Sequence, residues 1–284
     1  MKCGICNSLE IKELFYKKGS DNQTYAIIQC KKCKVVQTFP KPAFTNHFYQ
    51  KNYFEKRTDR GYDNYISKES KEVLIRTWEL NLKDLNFFDY ENELFQKNKK
   101  PTLLEIGCAG GFFLEYMLKR GWFVEGVEIS KEMTEFAKLN LNLNVWNGDF
   151  IQYNSKNQYD CIVMWATIEH FFDPIAIFKK ISTLLKKNGI FIFSTCRWGF
   201  LAKIKKENWR FMNVPEHLYF FQERQLVQIL ETMNFNKISS ITYGSGFTRK
   251  TNMGIIYKTL KFIFDKLVKK LNMGDMVAMM FKKA

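Results

Sequence analysis

From residue 101 onward, short apolar runs alternate with stretches that repeat their apolar positions every three or four residues. The runs predict strands near 102–106, 123–128, 144–147, 159–164 and 190–196. The stretches between them predict helices near 111–120, 130–141, 173–187 and 222–234. Such alternation is the pattern of a parallel sheet with helices on both faces. Asp173-Pro174 is a helix start, because Asp caps and Pro fits the first turn. Asn188-Gly189 reads as its left-handed stop. A sixth strand is expected near 236–243 and a last one in GDMVAMMFKK, with a basic helix between them.

Upstream the pattern changes. IKELFYKK and TYAIIQC alternate as two short strands around a GSDN turn. Phe39 to Pro42, FPKP, marks the edge of that unit. Residues 43–100 read as mainly helical. Phe44, Phe48, Tyr49, Tyr53 and Phe54 are expected to pack on the following domain, in preference to forming a base-stacking platform. Val73, Leu74, Trp78, Leu82 and Leu85 mark one apolar helix face. QKNKK before Pro101 reads as a solvated linker.

Composition adds limits. With 284 residues and 46% apolar, the chain has material for one large domain and a small appendage, so disorder is not expected. The balance of 44 basic against 29 acidic residues leaves +15. That favours acidic partners such as nucleic acid, a membrane surface or phosphorylated substrates, although lysine is spread along the whole chain. No uncharged apolar run approaches the ~18 residues that span a bilayer. MKCGIC carries no apolar signal segment, and the expectation is a cytoplasmic protein.

Four of the seven cysteines form Cys3-x2-Cys6 and Cys30-x2-Cys33. Two such knuckles present four thiolates, the donor set of a closed tetrahedral zinc site. So short a segment buries little core, and a metal would supply much of its folding free energy. A redox role fits two separate pairs less well. Cys108, Cys161 and Cys196 are expected to be buried apolar fillers.

The stretch TLLEIGCAGG, Thr102 to Gly111, joins a strand to a helix through a glycine-rich turn, and Glu128 closes the next strand 21 residues after Gly107. A carboxylate at that place can accept hydrogen bonds from both ribose hydroxyls of a nucleoside. The dinucleotide fingerprint fails, since its third and sixth glycines would be Ala109 and Phe112. No Gly-Lys-Ser/Thr follows, which excludes a Walker loop. Glu105 would oppose a pyrophosphate but suits a cationic cofactor.

Together, Glu105-Ile-Gly107-Cys-Ala-Gly-Gly111, Glu128, Asn147-Gly-Asp149-Phe150, Tyr159-Asp160 through Asp173-Pro174, and LLKKNGIFIFS resemble class I S-adenosylmethionine-dependent methyltransferases. The resemblance spans about 101–284. It implies an α/β, Rossmann-like seven-stranded sheet with helices on both faces over 101–284, preceded by a zinc-ribbon module (1–41) and a helical, aromatic linker (42–100). It implies cofactor contacts from Glu105, Gly107, Cys108, Gly111, Glu128, Ile129, Asp149, Phe150 and Trp165. Ala109 departs from the family's usual glycine. The four-cysteine module, FYQKNYFE and Pro215-Glu-His217-Leu-Tyr-Phe-Phe further resemble a bacterial subgroup associated with sugar, capsule or O-antigen biosynthesis. That implies a small-molecule or sugar-type acceptor, nucleotide- or lipid-linked.

Methyl transfer to a hydroxyl needs a base beside the acceptor. Of the three histidines, His170 follows the fourth strand and His217 sits in a loop after the fifth; Glu169 or Glu216 could orient either. His47 is expected to be structural. Two other classes of function compete. An RNA methyltransferase is favoured by the charge and the cysteines, but WATIEH lacks the Asn-Pro-Pro-Tyr type of motif. A non-catalytic cofactor-binding scaffold would not need Glu105, Glu128 and Asp149 together. Residues 255–271 form a basic amphipathic helix, for which packing on the domain or capping the cleft is preferred over contact with an anionic membrane.

Overall fold

The computed structural model describes residues 1–42, 54, 64–97, 100–245 and 254–284. Phe44, His47, Phe48, Tyr49 and Tyr53 lie outside the described residues. Helices α1 (Lys68–Asp84) and α2 (Phe87–Lys97) precede the first strand of the main sheet. The main sheet has seven strands: β4 (Thr102–Ile106), β5 (Phe123–Glu128), β6 (Val145–Asn147), β7 (Tyr159–Trp165), β8 (Leu185–Cys196), β10 (Phe235–Tyr243) and β11 (Met276–Lys283). Their order is β10-β11-β8-β7-β4-β5-β6. The pairings β6-β5, β5-β4, β4-β7 and β7-β8 are parallel, whereas β11 runs antiparallel to both neighbours. Chain order reverses at β4, so the loops after β4 and β7 open a crevice at the carboxyl ends of the strands.

Alternation along each strand divides the core into two layers. Leu104, Ile106, Ile162, Met164, Phe191 and Phe193 face one way. Leu103, Cys161, Val163, Ile190 and Ile192 face the other. Cys108, Cys161 and Cys196 are buried, as the sequence suggests. Between the strands lie α3 (Phe112–Lys119), α4 (Lys131–Leu141) and α5 (Pro174–Leu184). Asp173 caps α5 by accepting the Ala176 N–H at 3.0 Å, with Pro174 in the first turn.

The end of α5 differs from expectation. The helix stops at Leu184, not near 187, and β8 begins at Leu185, not at 190. Asn188, at φ 62°, is left-handed but sits within β8, where the register against β7 shifts between Tyr159 and Cys161. Lys283 holds the extended exit, donating to the carbonyls of Ser182 and Leu185 at 2.6 and 2.7 Å. These ties favour a strand with an irregularity over a further turn of helix.

The amino-terminal sheet holds more than the two expected strands. To β1 (Ile11–Lys18) and β2 (Thr24–Cys30) it adds β3 (Val36–Phe39) and then β9 (Tyr219–Phe220), which comes from the far part of the chain. Val36 pairs with Phe220 and Gln37 with Tyr219. Two shorter helices, α6 (Phe200–Lys205) and α7 (Glu223–Glu231), flank that crossing. The last helix, α8 (Ile255–Lys270), packs beside β10. Its apolar stripe does not pack inward as preferred from the sequence: Leu260, Leu267 and Leu271 are exposed.

Candidate active site at the carboxyl ends of the central strands

A cavity of about 600 Å³ opens at the reversal point, within the range of small-ligand sites. At one end its wall includes Gly107, Glu128, Ile129, Asp149, Phe150 and Trp165. At the other it includes Glu169, His170 and His217. Glu105, Cys108 and Gly111 stand outside that lining: Glu105 and Cys108 are buried behind the loop, and Gly111 is the N-cap of α3.

The loop after β4 is held by its own backbone. Gly107 N–H donates to the Val127 carbonyl at 2.8 Å. At φ 71° it takes a conformation that favours glycine, and a Cβ there would lie 2.6 Å from the Thr167 side chain. The loops after β4 and β7 are thus in contact. Ala109 is also left-handed, at φ 46°. Its N–H donates to Glu128 Oε2 at 2.8 Å, while Ser130 N–H donates to Glu128 Oε1 at 2.8 Å. The extra methyl of Ala109 joins a small apolar cluster with Phe54 and Met133.

Two buried carboxylates lie close under this loop. Burial raises the carboxyl of Glu128 above its ordinary value, against the pull of the N–H groups that bind it. Glu105 is raised well above the ordinary range, first by burial and then by the nearby Glu128 charge. Its Oε2 is buried with no hydrogen-bond partner. Trp165, packed edge-on against Phe113 at 5.4 Å, likewise has a buried indole N–H with no acceptor. Unpaired buried polar atoms are costly; the Glu105 oxygen fits a cation nearby and the Trp165 N–H fits an acceptor, so the two suit an occupant of the neighbouring cavity that carries both.

The other end is built by the 3₁₀ turn Ile168–His170 and the loop 209–218. The His170 and His217 rings meet edge to face at 4.7 Å. His170 Nδ1 bonds the Glu216 carbonyl at 3.0 Å, and His217 Nδ1 bonds the Phe211 carbonyl at 2.8 Å. A carbonyl only accepts, so each ring donates from Nδ1 and in its neutral form carries its lone pair on Nε2. Glu169 accepts from Thr195 Oγ1 at 2.9 Å and from Cys196 N–H at 3.5 Å, which anchors the turn to β8. Glu169, His170 and His217 offer donor atoms within 4.8 Å of one another.

Several lining residues escaped the sequence reading. Trp78 and Asn81 reach the cavity from α1, and the Asn81 amide N is buried without a partner. Arg210, Asn213, Tyr243 and Met276 also line it. The only signal for Asn81 is a polar residue beside an otherwise apolar helix face; nothing local singles out Met276.

The four cysteines of the amino-terminal sheet converge. Cys3 and Cys33 Sγ lie 3.5 Å apart, as do Cys6 and Cys30 Sγ, and all four fall within 4.8 Å of one another. None is in a disulfide. The N–H groups of Ile5 and Cys33 donate to Cys3 and Cys30 sulfur at 3.4 Å. Four thiols so placed fit a tetrahedral ion with bonds of about 2.3 Å.

Comparison with known proteins agrees with this geometry. A family described as "Methyltransferase domain" matches residues 82–240, more than half of the chain. The chain belongs to that family, as an S-adenosylmethionine-dependent methyltransferase of class I. It is 28% identical over 185 residues to a ubiquinone biosynthesis O-methyltransferase from Pelagibacter ubique, covering 57% of this chain and 76% of that protein. A protein of the same name from Nitrosomonas europaea is 28% identical over 127 residues, 41% of this chain and 52% of its own length. One from Coxiella burnetii is 30% identical over 111 residues, 37% and 47% respectively. The chain thus spans about half the length of the latter two. Among solved structures, a magnesium protoporphyrin IX methyltransferase from Synechocystis PCC 6803 with bound SAH shares the fold, with a TM-score of 0.54 at 14% identity over 82% of this chain and 98% of that one.

Proposed function

We propose that the chain transfers a methyl group to a hydroxyl oxygen of a small-molecule acceptor. One observation carries this reading: a single cavity is lined by the buried carboxylate of Glu128 and the Gly107 turn at one end and by two Nδ1-pinned histidines at the other. A bound S-adenosylmethionine would supply an electrophilic methyl group on a cationic sulfur. Glu128 and Asp149 would hold its ribose and adenine, Gly107 would let the loop approach, and Ile129, Phe150 and Trp165 would wall it. Glu105, Cys108 and Gly111 would shape the loop from behind, with Glu105 adding negative charge beneath a cation.

His170, the less buried of the two histidines, is the base we assign, accepting the acceptor's proton on Nε2. His217 packs on its ring and Glu169 holds its turn. The similarity to ubiquinone biosynthesis O-methyltransferases supports an oxygen as the methylated atom. A sugar-type acceptor of surface polysaccharide biosynthesis, nucleotide- or lipid-linked, is the second reading, favoured by Arg210 and Asn213 beside His217 in the wall. In this scheme residues 1–41 are a zinc module held by Cys3, Cys6, Cys30 and Cys33, 42–100 are a linker from which Tyr65, Trp78 and Asn81 help close the cavity, and 101–284 carry the transfer. Seven free cysteines suit the reducing cytoplasm. Among the described residues, no helix is long and apolar enough to cross a membrane.

The test is S-adenosylhomocysteine release over panels of phenolic, sugar and nucleotide-sugar acceptors, with His170→Asn as control. The variant should lose turnover by about 10²-fold or more while binding cofactor normally. Turnover on RNA but on no small acceptor would refute the reading, as would an undiminished His170→Asn enzyme.

A further inference from the structure

Helix α8 turns the wrong face outward for a helix that merely completes a fold. At about 100° per residue, Leu260, Ile263, Leu267 and Leu271 fall within one arc of about 80°. They are 49%, 53%, 46% and 55% exposed. The half-buried side instead holds Lys261, Asp265 and Val268, with Lys261 and Asp265 paired at 2.5 Å. Lys266 and Lys270, both exposed, border the apolar arc on one flank. Phe262, 59% exposed, lies under the Lys266 ammonium at 4.4 Å. An amphipathic helix buries its apolar face against something, and here that face points away from the domain.

The helix is seated along one side. It packs beside β10, and Lys269 pairs with Asp84 at the end of α1. Its segment is rooted in the cavity wall at both ends, through Tyr243 and Gly244 on one side and Met276 on the other.

We propose that α8 is a docking element for an anionic phospholipid bilayer. It lies in the plane of the surface, with Leu260, Ile263, Leu267 and Leu271 at the acyl boundary and Lys266 and Lys270 at headgroup phosphates. The chemistry selects this occupant. The cations edging the stripe carry one sign, and the chain as a whole is +15. A second copy of the chain would bring like charge to like charge along the same edge, whereas an anionic bilayer meets both the apolar arc and its basic rim. Docking in this way holds the segment that borders the cavity at the membrane surface. The docking itself does not rest on the assigned reaction.

Co-sedimentation of the full chain with vesicles tests it, using phosphatidylcholine alone and phosphatidylcholine mixed with phosphatidylglycerol. Binding should require the anionic lipid and weaken steeply with salt. Ile263→Glu with Leu267→Glu should lower the partition coefficient by about ten-fold or more, with an unchanged thermal midpoint. Lys266→Gln with Lys270→Gln, which leaves the apolar arc intact, should cost about ten-fold on anionic vesicles alone. No binding of the wild type to anionic vesicles overturns the proposal. So does equal binding by both double variants, or a dimer that the glutamate pair dissolves while vesicle binding is absent.

Discussion

The hydroxyl of Thr38 donates to the backbone carbonyl of His217 at 2.7 Å, and Thr38 N–H donates to the Leu218 carbonyl at 3.0 Å. The third strand of the cysteine-bearing sheet therefore grips the loop that carries His217. One residue earlier, the Glu216 carbonyl accepts from His170 Nδ1. The cysteine knuckle is tied to the same strand, because Gln37 bridges the Gly4 N–H and the Lys2 carbonyl at 3.0 Å each. Hydrogen bonds and the short stretches of backbone between them thus link the cysteine knuckle to the two histidines.

Thr38→Val should therefore slow turnover by about ten-fold and destabilise the fold by about 1–2 kcal/mol, because it strips a buried carbonyl of a partner. Cofactor affinity should not change. Thr38→Ser should restore most of the rate. Steady-state kinetics with separate kcat and KM, beside calorimetric cofactor binding, check this.

Metal analysis of freshly reduced protein should find about one zinc per chain, bound by four thiolates. Cys30→Ser should lose the metal, lower the thermal midpoint and reduce turnover together, since the sheet that holds loop 209–218 loses its clasp. Loss of metal with full activity would separate the module from the site.

Glu128→Gln should weaken cofactor binding by about 10²-fold, because it removes a carboxylate already aimed by the Ala109 and Ser130 N–H groups. Titration calorimetry reads this directly. The same variant should leave the His170–His217 end unaltered, so residual turnover at saturating cofactor should keep the parent's acceptor preference.

Glu105 should make cofactor binding depend on pH. Its carboxyl is held well above the ordinary range, so its contribution to the stability of the free protein is complete below that range and disappears as pH rises through the raised value. A cation in the adjacent cavity favours the carboxylate. Cofactor binding should then release a proton, and affinity should rise with pH until the raised value is passed. Calorimetry in buffers of different ionisation enthalpy measures the proton count. Glu105→Gln should remove the slope and raise the thermal midpoint of the free protein at high pH.

The features readable in the sequence are those whose partners are local. The β4 turn, its glycines and Glu128 announce themselves within 27 residues, from Thr102 to Glu128. The paired cysteines do so through spacing alone. The two histidine candidates appear as rivals in sequence and are neighbours in space, because the turn after β7 and the loop before β9 meet only through tertiary packing. β9 has two residues and no periodicity to detect; it exists because β3 offers an edge. Asn81 reads as a helix residue like others until α1 is laid over the cavity. The early end of α5 depends on Lys283, a hundred positions away in the chain.

The shared sheet also constrains how such a chain could have been assembled. Residues 1–42 complete their sheet only with Tyr219 and Phe220 in place. A recombination event that exchanged the amino-terminal module between relatives would leave a mismatched edge unless loop 209–221 travelled with it. Module and loop form one heritable unit written in two separated stretches, and a working chimera has to take both from the same parent.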